Sequence, residues 1–172
     1  MEDPKKELWL AGIPTLAVPP AEFRRLPAAA LAYLGDAIYE LYIRQSYLLP
    51  PQRITLYHQQ VVQRVRGSTQ AETLQALLPH LTPQEASIVR WGENGAGQPP
   101  KNLDPDRYRQ ASGFETLLGY LYLQDPRRLG EVLALADQYF ALDTPPNHCR
   151  GASPTTVSGE GGANQPDSLG KI

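Results

Sequence analysis

The chain has 172 residues, 41% of them hydrophobic, and a formal net charge of −2. That length suits one domain with tails, and the small negative charge excludes a protein that holds a polyanion through its overall field; a local basic rim or bound cations would have to serve. No run of about eighteen apolar residues exists to cross a membrane, and the single cysteine, Cys149, excludes an internal disulfide and fits a reducing, cytoplasmic setting.

Residues 1–26 contain Pro4, Pro14, Pro19 and Pro20 and predict a flexible N-terminal arm. Met1 to Leu10 mixes charges of both signs without an apolar run, unlike a secretory signal, and offers Leu8, Trp9 and Leu10 for docking. Pro27 suits the first turn of a long helix over 28–48, stopped by Pro50-Pro51. Further helices are expected over 54–66 and 68–79, the second carrying Leu74, Leu77 and Leu78. Thr82-Pro83-Gln84-Glu85 is a capping box with proline at the first helical position, which predicts a helix over 83–92.

Gly92 to Pro100 reads as a glycine-rich loop opened by Trp91. Asp104-Pro105 predicts a short helix through Arg109, and Phe114 to Gln124 a second, nearly all-apolar one. Asp125-Pro126 starts the last helix, to about Phe140, with Leu129, Val132, Leu133, Ala136 and Tyr139 inward. From Asp143 onward Pro, Gly, Ser and Thr predict a disordered tail, where His148 and Cys149 lack any further ligand or base. The expectation is all-α: one domain of six to seven helices over 27–142, an arm over 1–26 and a tail over 143–172.

Two helices carry misplaced charge. Of the thirteen residues 31–43, eleven are apolar, aromatic or glycine; the exceptions are Asp36 and Glu40. At helical spacing Leu31, Leu34, Ile38, Leu41 and Tyr42 share one face, and the two acids lie together on the other. That other side also carries Ala32, Tyr33 and Ile43, so it is not an ordinary solvated face. A carboxylate there is costly unless paired, hydrogen-bonded or metal-bound. Residues 113–123 hold one charge, Glu115. Ser112-Gly113-Phe114-Glu115 also matches a capping box, so Glu115 reads equally as a helix cap. For Asp36 the structural alternatives are a cap at a Gly-Asp kink or a partner for a buried Arg or Tyr. Two isolated carboxylates on apolar helices suit Mg²⁺ or Mn²⁺, hard ions that take few protein ligands and activate water for phosphoryl chemistry.

Leu31-Ala32-Tyr33-Leu34-Gly35-Asp36-Ala37-Ile38-Tyr39-Glu40 resembles the signature helix of ribonuclease III endonuclease domains. Tyr108 to Glu115 followed by Leu117 to Leu123 resembles their second metal-binding helix, and the wording of both is similar to the short Mini-ribonuclease III branch. The resemblance covers about residues 28–140. It implies a homodimer of all-α domains that cuts double-stranded RNA with Mg²⁺, leaves 5′-phosphate and 3′-hydroxyl ends, and matures the ends of large-subunit (23S) ribosomal RNA precursor. It assigns Asp36 as catalytic and metal-binding and Glu115 as metal-binding. Two positions depart from full-length ribonuclease III: Ala32 stands where a Glu precedes the signature Asp, and Ser112 where an Asp precedes the second Glu. The loop Gly92-Glu93-Asn94-Gly95-Ala96-Gly97 replaces a basic stretch of the Mini branch, while Lys101-Asn102 matches the Lys-Asn that follows it. A catalytically weak or inactive RNA-binding or interaction domain is the alternative these departures raise.

The residues after Leu142 are too few and too polar for a double-stranded-RNA-binding domain, so recognition is expected from the catalytic domain. A-form RNA is read by shape, 2′-hydroxyls and phosphates, which calls for a basic rim. The candidates are Arg66, Lys101, Asn102, Arg107 and Arg109, with Arg44, Arg53 and Arg64 as further charges. His58 and His80 read as structural or surface residues, and Tyr33, Tyr39, Tyr42, Tyr120 and Tyr122 as core.

Overall fold

The computed structural model describes residues 17–143, and among them all regular structure is helical. α1 spans Pro20–Phe23, α2 Ala28–Ser46, α3 Ile54–Val65, α4 Gly67–Leu77, α5 Pro83–Gly95, α6 Pro105–Gln124 and α7 Pro126–Asp143; a 3-10 turn, Leu78–His80, follows α4. α6 is the axis. α2, α4 and α5 pack along it, α3 lies against α2 and α4, and α7 against α4 and α6. From Phe114 onward α6 is apolar on almost every side because helices surround it: Phe114, Leu117, Leu118 and Leu121 are buried. Tyr39 of α2 meets the Phe114 ring edge-on, with centroids 5.0 Å apart.

Several helix starts follow from local chemistry. Glu85 N–H donates to Thr82 Oγ1 at 3.2 Å and Thr82 N–H to Glu85 Oε2 at 2.8 Å, the expected capping box of α5. Asp104 accepts from Asp106 N–H at 3.0 Å to start α6. Asp125 accepts from Arg128 N–H at 3.0 Å to start α7.

Two sequence expectations fail at one helix crossing. α5 does not end at Gly92 but runs to Gly95, and the two helices expected over 105–109 and 114–124 are one continuous α6. Both glycines that read as breaks are packing residues. A Cβ on Gly92 would stand 2.4 Å from Thr116 Oγ1, and one on Gly113 3.0 Å from the Val89 carbonyl. Close approach of α5 and α6 outweighs the roughly 1 kcal/mol that a mid-helix glycine costs. Ser112 and Gly113 therefore lie inside a helix, and the capping role considered for Glu115 is excluded.

Three further expectations are corrected. Within the expected arm, residues 20–23 form α1, and Phe23 packs edge-on against Tyr120, 5.8 Å between centroids. Tyr33 is 84% exposed rather than core. Leu41, expected inward, is also exposed, because the buried stripe of α2 runs through Leu31, Gly35, Ile38, Tyr39 and Ile43. The docking residues Leu8 to Leu10 and the pair His148 and Cys149 lie outside the described residues.

Candidate active site

The site begins with the absence of two side chains. A Cβ on Gly35 of α2 would fall 1.8 Å from the Glu115 carbonyl oxygen of α6, and a Cβ on Gly119 would fall 2.1 Å from the Leu31 carbonyl. The two backbones therefore touch, which only glycine allows. Asp36 follows Gly35 directly, and Glu115 is the residue Gly35 rests on. The crossing thus sets the two acids, 79 positions apart in the chain, beside one another.

Their electrostatics record that proximity. Burial pushes the Glu115 carboxyl up to about 7, and the neighbouring Asp36 charge adds to the rise. Asp36 is also raised, by burial first and by Glu40 second. Glu40 itself turns along α2 to pair with Arg44. Among the described residues neither Asp36 nor Glu115 has a cationic partner, nor the Arg or Tyr partner considered for Asp36.

The residue that sequence reasoning missed is Gln70 of α4. It is 1% exposed, and its side-chain amide lies close enough to both carboxylates to favour their charged forms. Its carbonyl oxygen Oε1 is buried with no hydrogen-bond partner. A signal existed: Gln70 lies four residues before Leu74 and seven before Leu77, on the stripe that α4 buries. A polar residue on a buried stripe needs a polar partner.

The donor set fits a hard divalent ion. Two carboxylate oxygens converge without a counter-charge, their ionised forms are disfavoured until positive charge arrives, and a buried amide oxygen beside them lacks a donor. Among the described residues no third His, Cys, Asp or Glu joins them. Ala32 and Ser112 stand one turn before Asp36 and Glu115, and both are half-buried.

The basic candidates divide into paired and free. Arg107 bonds to Glu72 at 3.1 Å, and Arg109 pairs with Asp106. Lys101 and Asn102 are exposed between α5 and α6, and Lys101 has no ion-pair partner among the described residues. Arg66 is exposed one turn before Gln70, its Nε donating to Thr69 Oγ1 at 3.0 Å. Arg53 is exposed. Arg64 is removed from the list of RNA contacts: it points inward, bonds to Asp137 at 2.8 Å and lies 3.9 Å over the Phe140 ring. His58 and His80 are exposed, and Tyr39 and Tyr122 are core as expected; Tyr42 and Tyr120 are half-buried.

Residues 29–126 match the Ribonuclease III domain model, spanning the α2–α6 crossing and both acids. The chain belongs to the ribonuclease III family. This is a family of metal-dependent endoribonucleases, and the two-carboxylate crossing lies within the matched region. Curated relatives agree. The chain is 52% identical over 120 residues to the Mini-ribonuclease 3 of Thermosynechococcus vestitus, covering 70% of this chain and 80% of that one. It is 48% identical over 130 residues to that of a Synechocystis species, with 76% and 90% covered. A crystal structure of a Fusobacterium nucleatum protein has the same fold, with a TM-score of 0.64, 24% identity, and 71% of this chain and 98% of that one covered.

Proposed function

We propose that the chain is a Mg²⁺-dependent endoribonuclease that cuts double-stranded RNA, with Mn²⁺ as a possible substitute, and matures the ends of the large-subunit (23S) ribosomal RNA precursor. The single observation that carries this is the Gly35–Gly119 crossing, which brings Asp36 beside Glu115 with no cationic partner among the described residues. The homology to proteins named Mini-ribonuclease 3 supports the substrate class.

In this reading Asp36 and Glu115 hold the ion, and Asp36 is the catalytic carboxylate. A divalent ion there supplies Lewis acidity toward a phosphoryl oxygen and an activated water, leaving 5′-phosphate and 3′-hydroxyl ends. The partly buried setting excludes most solvent from the two acids, so their charge acts at low screening. Arg66, Lys101, Asn102, Arg107 and Arg109 are the proposed backbone contacts; Lys101, exposed and unpaired, is the best placed to neutralise a phosphate. A homodimer is the assembly the family resemblance implies, and the exposed Tyr33 and Leu41 of α2 are candidate contacts for it. The proposed place of action is the cytoplasm, with the ribosomal RNA precursor; no helix among the described residues is long and apolar enough to cross a membrane. We take residues 27–142 as the catalytic domain, with residues 1–26 and 143–172 as its flanking arm and tail.

The test is cleavage of a structured ribosomal RNA precursor by purified protein in Mg²⁺, Mn²⁺ or EDTA, with end mapping. Discrete cuts with 5′-phosphate ends, lost in EDTA and in Asp36→Asn, are expected. RNA binding without cleavage in either metal would favour the alternative of an inactive RNA-binding domain, which the absence of a third acid motivates.

A further inference from the structure

We propose that Gln70 is the positioning residue of this site: one buried amide from a third helix bridges Asp36 and Glu115 and holds them at the separation at which they take a divalent ion. The inference rests on the metal-site reading above and deepens it.

Three observations converge. Gln70 is among the most deeply buried polar residues described, on a side of α4 that also buries Ala71, Leu74 and Leu77. Burying an amide there is costly unless its bonds are made. Its side chain lies near both acids, which approach from α2 and α6, and lowers the cost of ionising each. Its acceptor end, Oε1, is buried and unpartnered. A carbonyl oxygen in that position can accept from a water carried in by a hydrated cation. Two carboxylates alone would repel and splay apart before the ion arrives; a shared neutral donor offsets that repulsion without competing for the site as an arginine or lysine would.

The backbone around Gln70 gives it little freedom. Its own N–H donates to the Arg66 carbonyl at 3.1 Å in the first turn of α4. Gly67 lies close to α6, where a Cβ would be 3.7 Å from the Ala111 Cβ. Thr73, one turn on, donates to the Thr69 carbonyl at 2.8 Å and is equally buried. Thr73 supplies a control on the same helix that contacts neither acid.

The experiment titrates Mn²⁺ alone into wild-type protein, Gln70→Met, Thr73→Val and Asp36→Asn, reading bound metal by electron paramagnetic resonance and fold by circular dichroism. Gln70→Met should weaken Mn²⁺ binding about 10- to 100-fold, the range for residues that orient metal ligands. Thr73→Val should bind as wild type, and Asp36→Asn should not bind. Excess Mn²⁺ should restore most of the RNA cleavage by Gln70→Met, since the ligands remain. Wild-type binding lost in Asp36→Asn but unchanged in Gln70→Met would overturn this inference and leave the metal site standing. No Mn²⁺ binding by wild type would overturn both. Should Gln70→Met fail to fold, Gln70→Asn, which keeps the amide on a shorter side chain, takes its place: Mn²⁺ binding weakened relative to Thr73→Val is expected, and wild-type binding would overturn the inference.

Discussion

Two carboxylates at helix crossings, Glu85 and Glu115, have opposite fates. Glu85 of α5 receives Arg128 of α7 through two bonds, Nε to Oε1 at 2.8 Å and a terminal nitrogen to Oε2 at 3.1 Å. The same guanidinium reaches the His80 carbonyl at 2.9 Å and Glu131 at 2.9 Å. That fork holds the Glu85 carboxyl below its ordinary pKa. Among the described residues Glu115 has no such partner, and burial beside Asp36 raises it to about 7. The chain neutralises the first carboxylate itself, whereas the second, with Asp36, has no cationic partner among the described residues. The first arrangement fastens α7 to α5; the second stores a demand for a cation at the place where two backbones touch.

The largest effect is expected from removing the outward demand. Asp36→Asn should keep the fold and lower RNA cleavage at least about a thousandfold, because the charge stabilisation an ion supplies is worth several kcal/mol. Single-turnover cleavage under saturating Mg²⁺ measures it.

Closing the crossing should act on stability and site together. Gly35→Ala or Gly119→Ala forces a methyl group into a backbone carbonyl and should cost about 3 kcal/mol or more, with cleavage lost in whatever folds. Urea unfolding and cleavage assays check both. Alanine at an exposed position of α5, Ser87→Ala, should leave both nearly unchanged.

Breaking the inward pair comes next. Arg128→Met should cost about 3 kcal/mol near pH 7, because it strands a buried Glu85. The folded pKa of Glu85 lies below its unfolded value, so this stability is present above the ordinary carboxylate range and is lost as pH falls through the folded value. The gap between wild type and Arg128→Met in chemical denaturation should therefore narrow in acid.

Glu115 predicts the reverse pH dependence. Its folded pKa lies above the unfolded value of 4.5, so its contribution is full below that value and is lost as pH rises through about 7. Holding it ionised in the metal-free protein costs of order 3 kcal/mol at most. Glu115→Gln should raise the metal-free melting temperature at pH 8 by a few degrees, and Mg²⁺ should raise that of wild type but not of the variant. Differential scanning fluorimetry with and without EDTA decides it.

The smallest effect separates free from paired cations at the rim. Lys101→Ala should weaken RNA binding a few-fold and lower the salt slope by about one, and Arg107→Ala, whose charge is already engaged by Glu72, should do less. Filter binding across a salt series measures the difference.

Much of this was legible in the linear chain. Capping residues at Thr82, Asp104 and Asp125 announce three helix starts, since a cap is a contact between near neighbours. The two acids stand out because helical periodicity makes an apolar stretch visible and a charge within it anomalous. Gly92 and Gly113 misled because a glycine that ends a helix and one that lets another helix approach are the same residue in sequence; only the facing backbone distinguishes them. Tyr33 read as core for a related reason, since an apolar helix does not declare which side its neighbours occupy. Gln70 passed unnoticed because its partners lie 34 and 45 positions away, on two other helices.

The sequence by itself determined the all-α class, most helix ends and the identity of the two carboxylates, all consequences of local hydrogen bonding and of a period that repeats every few residues. Tertiary structure alone decided that Asp36 and Glu115 meet, that a buried glutamine lies near both, and that Arg64 serves the interior. Those outcomes depend on how closely backbones pass one another, and that distance is set by the side chains of both partners at once.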